Sequence, residues 1–245
     1  MTVGVAIKCS DGIVLACDSL ATFSRGVPVK RFSNKVYVIE HEHLENPVAI
    51  VGAGLSTFID KFIDRGKREA ITNAHELTGN KLDIVDFCTY VCEPLVAALF
   101  KEYCIDRTKF FGAPVSDYSL FAIVAGATRE QELRAYFVHP DGLTENIADY
   151  GTVGSGAAYA ELFLRDLLSD EETVVDDAAS LCVYAIKGVE IMDPHVGGKT
   201  NVSILTMQEG KLAFKSSLDV EISDKARGGD GRHSQENGPK YAFAN

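Results

Sequence analysis

Three side chains of this sequence, Thr2, Asp18 and Lys35, are suited by type and placement to act together as an activated nucleophile. A threonine hydroxyl attacks weakly at neutral pH unless a base takes its proton. If Met1 is removed, as methionine aminopeptidases generally do before a small residue, Thr2 gains an α-amine close enough to its own hydroxyl to be that base. An internal threonine has no such amine. A buried lysine ammonium beside the hydroxyl favours the alkoxide-like form and lowers the proton affinity of the amine, while an aspartate fixes and charges the lysine. Each residue also has a plainer reading. Many chains begin Met-Thr for no catalytic reason, and an isolated Asp and Lys at strand ends form an ordinary ion pair more often than a site. Their joint placement with Thr2 favours chemistry.

The elements that must position them follow from the apolar pattern. Residues Thr2 to Ser19 read as strand, Asp11-Gly12 turn, strand, because apolar stretches flank a strong hairpin signal. Ser33-Asn34-Lys35-Val36-Tyr37-Val38-Ile39 reads as a strand carrying Lys35, and Val48-Ala49-Ile50-Val51-Gly52-Ala53-Gly54-Leu55 as a strand ending in a turn. Helices are expected over Ser56 to His75, where Phe58, Ile59, Phe62 and Ile63 fall at helical spacing, and over Asp83 to Tyr103, with Pro94 as a bend. Strands follow at Leu120 to Ala125 and Leu133 to His139, then helices at Ala157 to Leu168 and Val174 to Met192. A last hairpin, Asn201 to Met207 and Lys211 to Lys215, turns at Glu209-Gly210. Periodicity alone supports an α+β class.

Five blocks resemble the β-type subunits of proteasomes, including the bacterial heat-shock-locus type, one of them being Val48 to Leu55, similar to the family's Ala-Gly turn before its first long helix. The run Thr2 to Ser19 is similar to the family's mature N-terminus without a gap. The strand at Lys35 is similar to its lysine strand, with one residue inserted after Asp18. Gly151-Thr152-Val153-Gly154-Ser155-Gly156 is similar to its Gly-Ser-Gly segment, and Met192-Asp193-Pro194-His195-Val196-Gly197-Gly198 to its Asp followed by a Gly pair. The resemblance spans about residues 2 to 215. It implies a four-layer αββα sandwich, two antiparallel sheets between helical layers, which is the N-terminal nucleophile hydrolase fold. It further implies a threonine endopeptidase in which Gly54 N–H stabilises the oxyanion, Ser155 lies close to Thr2, and Asp193 supports the network. Ala21, Ser33, Gly52 and Ser56 would line the specificity pocket, and their small size suggests a roomy one. The same resemblance implies a homo-oligomeric ring acting on unfolded polypeptides, with an ATP-driven unfoldase or an α-type ring as partner, and no cofactor. The chain departs from the pattern at Val196, where many β subunits carry a serine close to the threonine amine.

The residues at these blocks have structural readings as well. Gly54 suits a tight strand-to-helix turn, Ser155 a helix-capping hydroxyl, and Asp193 a helix C-terminal or loop carboxylate. Two other functions stay open: a structural ring subunit that keeps Met1, and a small-molecule amidase or peptide transferase using the same threonine.

Composition narrows the class. The 245 residues are 46% hydrophobic, enough for one globular domain, assigned to residues 1–222, with a polar tail at 223–245 expected to be disordered. Lys and Arg total 24 against 35 Asp and Glu, a net charge of -11, which disfavours nucleic acid or an anionic membrane as partner. No apolar run approaches the roughly 18 residues of a membrane span and no leader pattern opens the sequence, so a cytoplasmic location is expected. Cys9, Cys17, Cys88, Cys92, Cys104 and Cys182 sit in apolar segments without a CxxC pair and read as reduced core residues. Glu40-His41-Glu42-His43 could offer metal ligands, yet reads first as a solvated loop, and no metal is assigned.

Overall fold

Both faces of the opening hairpin are apolar, and both are buried. In the computed structural model, which describes residues 2–23, 29–105, 120–168 and 173–218, β1 (Gly4–Lys8) and β2 (Ile13–Asp18) pair antiparallel with Gly4 opposite Cys17 and Lys8 opposite Ile13. Period-two alternation divides β2 between two cores. Ile13, Leu15 and Cys17 point to one and Val14 and Ala16 to the other.

After the short hairpin β3 (Leu20–Phe23) and β4 (Val29–Phe32) come β5 (Val36–Ile39) and β6 (Val48–Gly54). Later strands are β7 (Leu120–Ala127), β8 (Leu133–Val138), β9 (Thr144–Asn146), β10 (Tyr150–Val153), β11 (Thr200–Gln208) and β12 (Lys211–Leu218). They form two five-stranded sheets, ordered β10-β1-β2-β11-β12 and β5-β6-β7-β8-β9, and every pairing is antiparallel.

Three apolar layers hold the stack. Ala6, Leu15, Val51, Ala53 and Ile123 meet between the sheets. Val5, Ala16 and Val202 pack against α5 (Ala157–Leu167) and α6 (Val175–Met192). Ile50, Ala122 and Val124 pack against the helical runs that contain α1 (Ser56–Arg65), α2 (Ile71–Thr78), α3 (Ile84–Asp86) and α4 (Glu93–Leu99). Each large side chain buried this way contributes about 1.5–3 kcal/mol. The architecture is the expected αββα sandwich.

The two long helices expected at the centre of the sequence are continuous helical runs broken by wider π-type turns at Gly66–Ala70, Phe87–Cys92 and Phe100–Ile105. Pro94 sits at the start of α4 and has no N–H to give to the carbonyl four residues back. Immediately before it, Glu93 N–H donates to Cys88 O, five residues back. The β3–β4 hairpin was not expected, because four-residue strands show too little alternation to be seen. The proposed tail at 223–245, Cys104's side chain and Met1 lie outside the described residues.

Candidate active site

Asp18 ends β2 with no exposed side-chain surface, and four donors converge on it. Its Oδ1 accepts Lys35 Nζ at 2.8 Å and Val3 N–H at 3.0 Å. Its Oδ2 accepts Leu20 N–H at 3.2 Å and Gly197 N–H at 3.3 Å. Burial pushes the Asp18 carboxyl above its ordinary value, while the Lys35 ammonium and the Val3 and Gly197 amides pull it back. Lys35 also donates to Leu20 O at 2.6 Å, so a backbone carbonyl and a carboxylate share its charge. The lysine is held at the entry to β5, where Asn34 Oδ1 accepts Val36 N–H at 3.0 Å.

Thr2 is brought to this pair by the strand register. Asp18 and Val3 bond each other in both directions, through Val3 N–H to Asp18 Oδ1 and Asp18 N–H to Val3 O at 3.2 Å. Thr2 is therefore one residue from a group bonded to the ion pair, and it is itself buried. On its other side, Thr2 O accepts Gly156 N–H at 3.3 Å. Gly154 has φ +98°, and a Cβ there would collide with the Thr2 carbonyl oxygen and come within 3.3 Å of Ala53 Cβ, so only glycine lets these three segments meet. Gly54, exposed with φ +117°, follows Ala53 at the end of β6.

Ser155 does not cap α5. The N-cap is Gly156, which makes no side-chain capping bond, and Ser155 Oγ instead donates to Asp193 Oδ2 at 2.9 Å. Asp193 closes α6, is buried, and accepts His195 N–H on Oδ1 at 2.9 Å. The loop-carboxylate reading of Asp193 and its pairing with Ser155 thus hold together. Val196 turns inward, buried in the core under α5 and α6, with its Cγ2 against Gly156.

Of the four residues expected to line a pocket, Ala21 lies on β3, Ser33 is exposed with its N–H on Ser19 O at 2.8 Å, and Ser56 opens α1 half-buried. Gly52 faces α1, and a Cβ there would lie 2.9 Å from Ile59 Cγ2. Ile59 fills the space that the glycine leaves, which removes the argument for a roomy pocket at that position.

A family model described as "Proteasome subunit" matches residues 2–206. The chain belongs to the proteasome subunit family. It is similar to "Proteasome subunit beta 1" of Pyrobaculum aerophilum, 27% identical over 209 residues that cover 85% of this chain and 91% of that one. It is also similar to "Proteasome subunit alpha" of Methanococcus maripaludis, 28% identical over 224 residues that cover 89% and 74%. Among solved structures, "Anbu (ancestral beta-subunit) from Yersinia bercovieri" superposes with a TM-score of 0.69 at 16% identity over 92% of both chains, which shows the shared fold.

Sequence reasoning missed two contributors to this proteasome-family site. Leu20 offers Lys35 a main-chain carbonyl, for which no side-chain signal exists. Ser19 is buried and its Oγ accepts Lys199 N–H at 2.9 Å, tying the end of β2 to the Gly197-Gly198 turn. Adjacency to Asp18 was the only available hint. Away from the site, His43 stacks on His75 with centroids 4.0 Å apart, and among the described residues no group of three or more His, Cys, Asp or Glu side chains is placed to hold a metal. No helix of the described residues is long and apolar enough to cross a membrane.

Proposed function

We propose that this proteasome subunit is a threonine-type endopeptidase that hydrolyses unfolded polypeptides. The observation carrying this reading is the buried Lys35–Asp18 pair bonded to Val3, the residue after Thr2. An ion pair with 7% and 0% side-chain exposure gains little for stability over well-packed apolar residues. Beside a threonine it has a chemical use: a fixed positive charge that favours the ionised hydroxyl.

Removal of Met1 frees the Thr2 amine. Thr2 Oγ attacks the scissile carbonyl carbon while its proton passes to that amine, directly or through a water. Gly54 N–H bonds the oxyanion of the tetrahedral intermediate. Collapse breaks the C–N bond, the proton leaves with the departing amine, and an acyl ester remains on Oγ. Water then cleaves the ester, and one water is consumed per peptide bond. Ser155 and Asp193, bonded to each other at 2.9 Å, hold the segment beside Thr2. No cofactor is required. The subunit works within a homo-oligomeric cytoplasmic ring, where an ATP-driven unfoldase or an α-type ring admits only threaded chains.

The test is intact mass spectrometry before and after an epoxyketone, whose ring adduct needs both the hydroxyl and the free amine of an N-terminal threonine. Loss of Met1 with an adduct on Thr2, absent in Thr2→Ala, is expected. Retained Met1 with no adduct refutes the reading. A second reading, a non-catalytic ring subunit, is favoured by the inward packing of Val196 and by the similarity to a subunit named alpha.

A further inference from the structure

Asp18 depends on a turn that glycine alone would leave loose. Of its four donors, Gly197 N–H, at 3.3 Å, is the one this turn carries, and it is lost if the turn moves. Gly197 and Gly198 carry no side chain to anchor them, and Val196 before them offers packing but no hydrogen bond from its side chain. Neighbouring groups must hold the turn instead. Leu20 N–H donates to Gly197 O at 2.9 Å and Lys199 N–H to Ser19 Oγ at 2.9 Å. Gly198 O, between these ties, accepts Lys187 Nζ from α6 at 2.7 Å. The same ammonium meets Glu190 Oε2 at 3.2 Å, and Glu190 lies across Gly197, where a Cβ would come within 2.9 Å of its Oε1.

Gly198 has φ +85°, and a Cβ there would sit 2.5 Å from Ser19 Oγ, so a side chain cannot replace the missing anchor. An exposed Lys–Glu pair one helical turn apart contributes almost nothing. A lysine ammonium on a partly buried carbonyl is a charge-assisted bond of a stronger class.

We propose that Lys187 is a positioning residue for the Thr2 site: by holding Gly198 O it keeps the Gly197 N–H on Asp18. This rests on the peptidase reading for its catalytic consequence, though not for its structural one. Charged groups around the turn are Asp18 and Lys35 on the sheet side, Lys187 and Glu190 on α6, Lys199 after it, and Asp193 with His195 at its entry. Without Lys187 the Gly197 bond lengthens, and Asp18 holds its charge less readily as the pH falls.

The experiment compares wild type, Lys187→Gln and Lys187→Arg by hydrogen exchange of the peptide spanning residues 193–200 and by the pH profile of peptide hydrolysis. Lys187→Gln is expected to speed exchange of that peptide about tenfold or more. It is also expected to move the acid limb of kcat up by about half a pH unit, a roughly threefold loss below the limb with KM changed less than about twofold. Lys187→Arg restores both. Unchanged exchange in Lys187→Gln overturns the proposal, as does an equal loss of kcat at every pH that arginine fails to rescue. If wild type forms no Thr2 adduct, the peptidase reading fails separately, and the exchange measurement alone decides whether Lys187 holds the turn.

Discussion

Replacing Lys35 with methionine keeps most of the side-chain volume and removes one charge from a site where the partner carboxylate has no exposed surface. At 2.8 Å and an effective dielectric of about 20, the lost attraction is about 6 kcal/mol. The three backbone amides left on Asp18 offset part of it, and breaking a buried pair from one side costs about 3–5 kcal/mol. The loss is pH-dependent, and its sign follows from linkage. Burial raises the Asp18 carboxyl in the folded chain, and Lys35 is the largest influence opposing that rise. Without Lys35 the folded value climbs further above the roughly 3.9 of an unfolded aspartate. Between those two values the folded state binds more protons, so stability grows as the pH falls through the window. The cost of Lys35→Met relative to wild type is therefore expected to be about 3–5 kcal/mol at pH 7.5 and smaller at pH 5.5. Adding Asp18→Asn removes the buried charge and flattens the pH dependence, and recovers part of the loss, since its NH2 then faces a backbone N–H that the carboxylate accepted. Urea unfolding at fixed protein concentration measures all three, because subunit association would otherwise shift the midpoint. A cost below about 1 kcal/mol at pH 7.5 would refute the reasoning. So would an equal cost at both pH values with no recovery in the double variant.

Three further outcomes are expected. Gly154→Ala places a methyl group on the Thr2 carbonyl oxygen in a backbone conformation disfavoured for alanine, so Thr2 labelling should be lost while far-UV circular dichroism stays close to wild type. Ser155→Ala takes the hydroxyl donor at 2.9 Å from Asp193 Oδ2, and because Ser155 is exposed, water replaces it in part, so calorimetry should show a loss of about 0.5–1.5 kcal/mol. Cys17 is fully buried with its thiol pushed up to about 12, and Cys88, Cys92 and Cys182 are buried too, so a maleimide at pH 7.5 should leave all four unlabelled until urea is added.

How much of this was legible depended on what kind of atom carried the information. The α+β class could be read because β2 is apolar at consecutive positions, which requires cover on both faces, and α1 shows Phe58, Ile59, Phe62 and Ile63 at helical spacing; the αββα layering came from the resemblance to proteasome β subunits. The association of Asp18 with Lys35 was legible through the resemblance to proteasome β subunits, whose matching blocks place both residues with Thr2. Main-chain contributions were not. Leu20 O, the Gly197 amide and the carbonyl of Gly198 have no sequence signature, and the β3–β4 hairpin that aims Leu20 at Lys35 is too short to show a period. Ser155 was ambiguous, since a serine before a helix suits capping equally well, and only the position of Asp193 at the far end of α6 decides between the two bonds. Lys187 looks like a solvent-facing helical lysine until the turn after α6 is seen to fold back over it.

The strand order of the first sheet ties the two ends of the chain together in time as well as in space. β1 is flanked by β2 and by β10, and β2 by β1 and β11, so this hairpin finds its outer neighbours only after residues 150–153 and 200–208 have followed. Pairings of such long separation are slow to close. A nascent fragment that stops before Thr200 leaves β2 as an open apolar edge, a template for aggregation, and leaves Asp18 without the Gly197 amide. Asp18 therefore has all four of its donors only after residues 197–200 have been made, long after Lys35 could first meet it.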